Sequence, residues 1–231
     1  MKETLTSHPN RRSVLTTGLG VAGGVALWAG GAAVAAPASA APKDRQWRKN
    51  RSANGWPVLE AATTYGVEGS PVDVALAPGA AATVLLYVAR RFHYEVAALK
   101  AGEITGHTRR TAVTAAYESN HLSGTAIAIK PGAYPTGAGG CLFPHELAVV
   151  RDILTECEGV VRWGGDDRRS PKEGHFQIDV APGSAALHGV ARKIGGWEEQ
   201  PDQGAGVPTD VFDRGRRSAA KRLADRQRAT S

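Results

Sequence analysis

Two stretches carry the residues that can do chemistry: Ser119-Asn120-His121-Leu122-Ser123-Gly124-Thr125-Ala126-Ile127-Ala128-Ile129 and Lys172-Glu173-Gly174-His175-Phe176-Gln177-Ile178-Asp179-Val180. Each has a histidine at the mouth of an expected strand. A small apolar run follows His121. Phe176, Ile178 and Val180 alternate with Gln177 and Asp179, the period of two that marks a strand. Two histidines on neighbouring strands begin a metal site. A catalytic zinc takes three protein ligands and keeps a fourth position for water, so a third ligand and a base for that water are to be sought nearby.

Ser119-x-His121-x-x-Gly124-x-Ala126, followed by Arg162-Trp163-Gly164-Gly165-Asp166 and then His175-Phe176, resembles the M15 family of zinc D-alanyl-D-alanine peptidases, which trim or cleave peptidoglycan stem peptides. The resemblance covers roughly residues 54–195. It implies an M15 peptidase-like α+β fold, a single domain with a small antiparallel sheet flanked by helices. It also implies zinc held by His121 and His175, and a peptidoglycan peptide as partner. The family pattern continues to an aspartate that ligates zinc, and that position is Ala128 here. The family's acid, which handles the proton of the attacking water, stands three residues before the second histidine, and that position is Lys172. In the family an arginine upstream of the first zinc histidine can hold a substrate carboxylate, a role that would fall to Arg109 or Arg110 and suits a planar guanidinium.

Magnitudes give these two substitutions weight. Loss of a residue that merely orients a metal ligand typically weakens binding about 10–100-fold, and loss of the only anionic ligand should weaken it more. Two like unit charges ~4 Å apart repel by about 4 kcal/mol at an effective dielectric of ~20, so Lys172 opposes a metal further. Glu173 is the candidate replacement, as base or as third ligand, because positions 173 and 175 of an extended segment point the same way. Asp166 is expected either to orient His175 or His121, as carboxylates do for metal-binding histidines, or to cap its own turn.

The elements that must position these residues follow from periodicity. Val72 to Leu76 alternates like a short strand. Residues 79–101 read as the main helix, with Val84, Val88, Phe92, Val96 and Leu99 on one face and Gly102 as its stop. His93 is expected to pack on the sheet. Lys130-Pro131-Gly132 ends the first histidine strand, and a Gly- and Pro-rich loop to Gly140 forms the rim of a cleft. Pro144 opens a second helix with Leu147, Val150, Leu154 and Cys157 inward, ended by Gly159. Val160 to Trp163 is a strand, and residues 182–197 add a last short helix. Cys141 and Cys157, the two cysteines, are expected to remain thiols, with Cys157 buried. The helix between them spans about 20 Å at ~1.5 Å per residue, whereas a bridge needs Cα atoms within ~7 Å.

Residues 1–40 read as a twin-arginine export signal: Arg11-Arg12-Ser13-Val14-Leu15, a Gly/Ala-rich run, and Ala38-Ser39-Ala40 as a cleavage site. The expected destination is outside the cytoplasmic membrane, secreted or associated with the cell wall. Residues 41–53 are expected as a disordered lead-in, 54–197 as the domain, 198–213 as a linker and 214–231 as a basic tail. That tail holds seven basic residues and one acid, while the chain as a whole is +6. The basic excess therefore lies at the ends. Nucleic-acid binding, which needs a basic patch on the domain itself, is not expected. A monomer is expected, and the tail is either solvated or drawn to anionic wall polymer or lipid headgroups.

Three functions follow. The favoured one is a protein that acts on or binds peptidoglycan stem peptides, with its zinc peptidase activity impaired or lost. The alternatives are an active zinc D,D-peptidase that uses Glu173, and an interaction protein of the envelope whose cleft is vestigial.

Overall fold

The computed structural model describes residues 44–198, 200 and 209–229; the expected export signal lies outside them. Mixed α+β architecture is built on a four-stranded antiparallel sheet. Its strands are β4 (Ile104–Thr105), β6 (Ala126–Ile129), β8 (His175–Ile178) and β7 (Val161–Trp163), hydrogen-bonded in that order. Two small antiparallel pairs complete the strands: β1 (Arg45–Gln46) with β5 (Ala112–Val113), and β2 (Thr63–Gly66) with β3 (Asp73–Leu76).

Helix α1 (Ala80–Glu95) lies on this sheet and buries Val84, Leu85, Val88 and Phe92. The Phe92 ring meets Phe176 of β8 and Tyr134 edge-on, at 6.1 and 6.2 Å, a geometry that aromatic quadrupoles favour. The helix stops at Glu95, short of the expected Ala101. The His93 Nδ1 accepts the Leu99 backbone N–H at 2.9 Å, so the chain folds over the ring and Leu99 enters the core from outside the helix. Helix α2 (Pro144–Glu156) begins where proline predicts, and the Glu146 carboxylate accepts the Phe143 N–H at 2.8 Å. Helix α3 (Ala185–Glu198) packs on α1. Cys141 and Cys157 are both thiols and Cys157 is buried, as expected.

Both ends of the domain depart from expectation. The lead-in expected to be disordered is part of the fold from residue 44. β1 pairs with β5, Ala53 N–H donates to Ser119 Oγ at 2.8 Å, and Asn54 Nδ2 donates to Thr125 Oγ1 and to the Ile178 carbonyl, both at 2.8 Å. The basic tail is helix α4 (Arg214–Ala229), packed on α2, with Leu223, Ala224 and Gln227 buried. Its apolar stripe is thin because its anchors are ionic. Arg216 donates from Nε and Nη2 to the two oxygens of Asp152, each at 2.7 Å, and Arg228 Nε donates to Asp166 at 2.8 Å. All these described residues belong to one compact unit. Among them no helix is long and apolar enough to cross a membrane.

Candidate functional site

His175 opens β8, while His121 ends a 3-10 helix, Ala116–His121, five residues ahead of β6. The first histidine is therefore not at a strand mouth. The intervening turn brings it back, and the two rings lie 5.1 Å apart between centroids at an interplanar angle of 72°. Gly124 makes this turn: its φ is +64°, and a Cβ there would come within 2.6 Å of the Ala77 backbone nitrogen. Gly164 lets the chain after β7 press against the other histidine, since a Cβ would lie 2.7 Å from the Lys172 carbonyl and 2.9 Å from His175 Cβ.

Hydrogen bonding fixes both tautomers. The His121 Nδ1 lies 2.7 Å from the Gly106 carbonyl, which can only accept, so Nδ1 carries the proton and Nε2 keeps its lone pair. Gln177 Oε1 accepts from Asn120 Nδ2 at 2.8 Å and lies 3.0 Å from His175 Nε2. His175 therefore donates from Nε2, and its Nδ1 bears a lone pair. That Nδ1 is buried and has no hydrogen-bond partner among the described residues. Burial pushes the His121 pKa down to about 4, against the pull of the Gly106 carbonyl, and nearby Lys172 adds to the depression. Burial and the neighbouring His121 hold His175 well below the ordinary histidine range. Both imidazoles are neutral at physiological pH.

Ala128 is the register partner of His175 across β6 and β8, and directly opposed residues share a face. A carboxylate at this position would stand beside the histidines; a methyl group stands there instead. Lys172 fills the neighbouring space. Its Nζ is 2.7 Å from Glu118 Oε1, with both side chains mostly buried. Burial raises the Glu118 pKa, but the hydrogen bond and charge of Lys172, together with the backbone N–H groups of Thr114 and Ala115, outweigh it and leave the carboxyl below its usual range. His121, Ala128, Lys172 and Glu118 line one cleft of about 330 Å³, with Arg110 and Thr136 on its walls.

Other expected site residues are placed differently. The Glu173 carboxylate accepts the backbone N–H groups of Gly140, Cys141 and Leu142 at 2.7, 2.8 and 2.9 Å, and so ties the Gly-rich loop to the sheet. Glu173 does not share a strand face with His175, because residues 173 and 174 form a turn and the strand begins only at His175. Among the described residues Asp166 hydrogen-bonds to no histidine. It receives a guanidinium from Arg151 and another from Arg228, and these hold it below the usual carboxylate range despite burial. Arg109 pairs with Glu60 in solvent, whereas Arg110, on the cleft wall, pairs with Asp44 at 3.0 Å. The histidine environment depends on Asn120, Gln177 and Glu118, none of which sequence reasoning singled out. Glu118 had a signal: an acid one residue ahead of the Ser-x-His motif, available to a lysine.

The donor set does not fit a catalytic zinc. Two neutral imidazoles offer lone pairs, but Ala128, which faces His175 across the strands, ends in a methyl, and the Lys172 ammonium shares the cleft. Among the described residues no three His, Cys, Asp or Glu side chains are grouped to hold a metal. Comparisons with protein-family models, with curated proteins and with solved structures give no match.

Proposed function

We propose that this chain is an exported, M15-like domain whose cleft binds the carboxylate end of a peptidoglycan stem peptide without hydrolysing it. The observation that carries the reading is the meeting of Ala128 and Lys172 beside His121 in a single cleft. The two positions at which the sequence departs from the M15 pattern are spatial neighbours, and a fixed ammonium sits among groups that would otherwise serve a metal. In this reading Lys172 supplies the positive charge toward a ligand carboxylate, Glu118 holds that ammonium in place, and Arg110 supplies a second cation at the rim. A mostly buried ammonium binds a carboxylate with a charge-assisted hydrogen bond, about twice as strong as a neutral one.

Titration calorimetry with a stem peptide ending in D-Ala-D-Ala tests this. Binding by the wild type, lost at least tenfold in Lys172→Met and accompanied by no peptide cleavage, supports it. Turnover of the same peptide, abolished by a chelator and by His121→Ala, would overturn it.

An active zinc peptidase is the second reading. The tautomers favour it, since His121 Nε2 and His175 Nδ1 both keep the lone pairs a metal would use.

A further inference from the structure

Helix α4 is a basic ridge. Two of its arginines, the partly buried Arg216 and the exposed Arg228, are engaged with Asp152, Glu156 and Asp166. Outward, Arg214, Arg217, Lys221, Arg222 and Arg226 are exposed. Of these only Lys221 has an acidic partner among the described residues, Asp225 at 2.7 Å. Steps of three and four residues put the Cβ atoms of neighbouring basic residues about 5–6 Å apart along a helix of 16 residues, which is about 24 Å long. A groove runs along each flank. One, of about 360 Å³ between α2 and α4, is edged by Arg217, Lys221 and Arg228, with Asp152 and Asp225, each paired to a cation, also in its lining. The other, of about 290 Å³, is edged by Arg222 and Arg226.

We propose that α4 is a binding surface for a flexible, linear phosphate polyanion without nucleobases, such as an anionic polymer of the cell envelope, laid across the ridge and its two grooves. A row of exposed cations held on a docked helix is already ordered, so the polymer meets a fixed charge pattern and releases its counterions on binding. Two features separate this partner from others. Among the described residues the exposed large apolar ones are Tyr94, Phe143 and Phe212, none of them in α4. The helix thus lacks the apolar face that an interfacial membrane helix buries. It also has no aromatic ring on which nucleobases could stack. The proposal is independent of what the histidine cleft binds.

The test uses the whole chain and a variant with Arg214→Ser, Arg217→Ser, Arg222→Ser and Arg226→Ser, which keeps every anchoring contact of α4. Binding of inorganic polyphosphate, single-stranded DNA and phosphatidylglycerol vesicles is measured over a range of salt, with thermal melting as the folding control. The expected result is polyphosphate binding that falls steeply with salt. The variant should bind at least tenfold more weakly, with a salt slope smaller by about 3, near 0.7 per lost contact, and with an unchanged melting temperature. Equal binding by the variant, or no binding of polyphosphate at low salt, overturns the proposal. Tighter binding of DNA or vesicles than of polyphosphate overturns the assignment of partner class.

Discussion

Lys172 changes the chemistry available to the two histidines. A neutral imidazole pair beside an ammonium cannot act as a base and gain a proton without opposing that charge. The depressed His121 pKa has a stability consequence of definite sign. The folded value is about 4 and the ordinary one ~6.5, so between them the unfolded chain binds more protons. Stability contributed by neutral His121 is complete above about pH 6.5 and is lost as pH falls toward 4, by about 3 kcal/mol over the window. His175, depressed in the same direction, adds to the loss. Urea unfolding across this range is expected to give a falling midpoint; a flat profile would contradict the buried neutral pair. Lys172→Met should raise the His121 pKa, read by NMR titration of the ring, because a nearby positive charge has been removed. Gln177→Ala leaves His175 Nε2 and Asn120 Nδ2 without their shared acceptor. It should destabilise by about 1–3 kcal/mol for each stranded donor, seen as a lower urea midpoint at constant slope.

At the scale of elements, the two unexpected roles are those of Glu173 and α4. Three backbone amides converge on the Glu173 carboxylate, so Glu173→Ala should release the 140–142 segment. Hydrogen exchange at those amides is expected to speed up, while the His121 ring titration stays in place; unchanged exchange would argue against the tether. Helix α4 completes the charge network of α2, where Asp152 lies buried between Arg91 and Arg216. A chain ending at residue 213 strands Asp152 and Asp166 with fewer partners and uncovers α2. Breaking a buried pair from one side typically costs ~3–5 kcal/mol, reduced here because Arg216 is partly exposed. A loss of about 2–4 kcal/mol in urea unfolding is expected, and truncation without effect would return α4 to the status of a tail. Strands and helices with regular apolar spacing were legible in the sequence, as α2 and β8 show. What periodicity could not reveal was an element held by arginines. The ends of the chain look polar in sequence because their partners, Asp152 and Asp166 for α4 and Ser119 and Thr125 for the lead-in, are distant along it.

For the whole molecule, one antiparallel pairing, β6 against β8, sets Ala128 opposite His175, and the turn before β8 places Lys172 beside them. That His175 opens a strand was legible from the alternation that follows it, whereas the placing of His121 at the end of a 3-10 helix was not. Nor were the hydrogen-bonded surroundings, since Gln177 reads as an outward strand residue until Asn120 and His175 meet on it. The central claim of the proposed function is a cleft in which Lys172 stands where an M15-like site would hold a metal. The most direct measurement is the zinc content of the purified wild type beside that of a variant carrying Ala128→Asp and Lys172→Asp. The account predicts wild-type protein with far less than one zinc per chain and a variant that takes up close to one. Near-stoichiometric zinc in the wild type, or none in the variant, would contradict it.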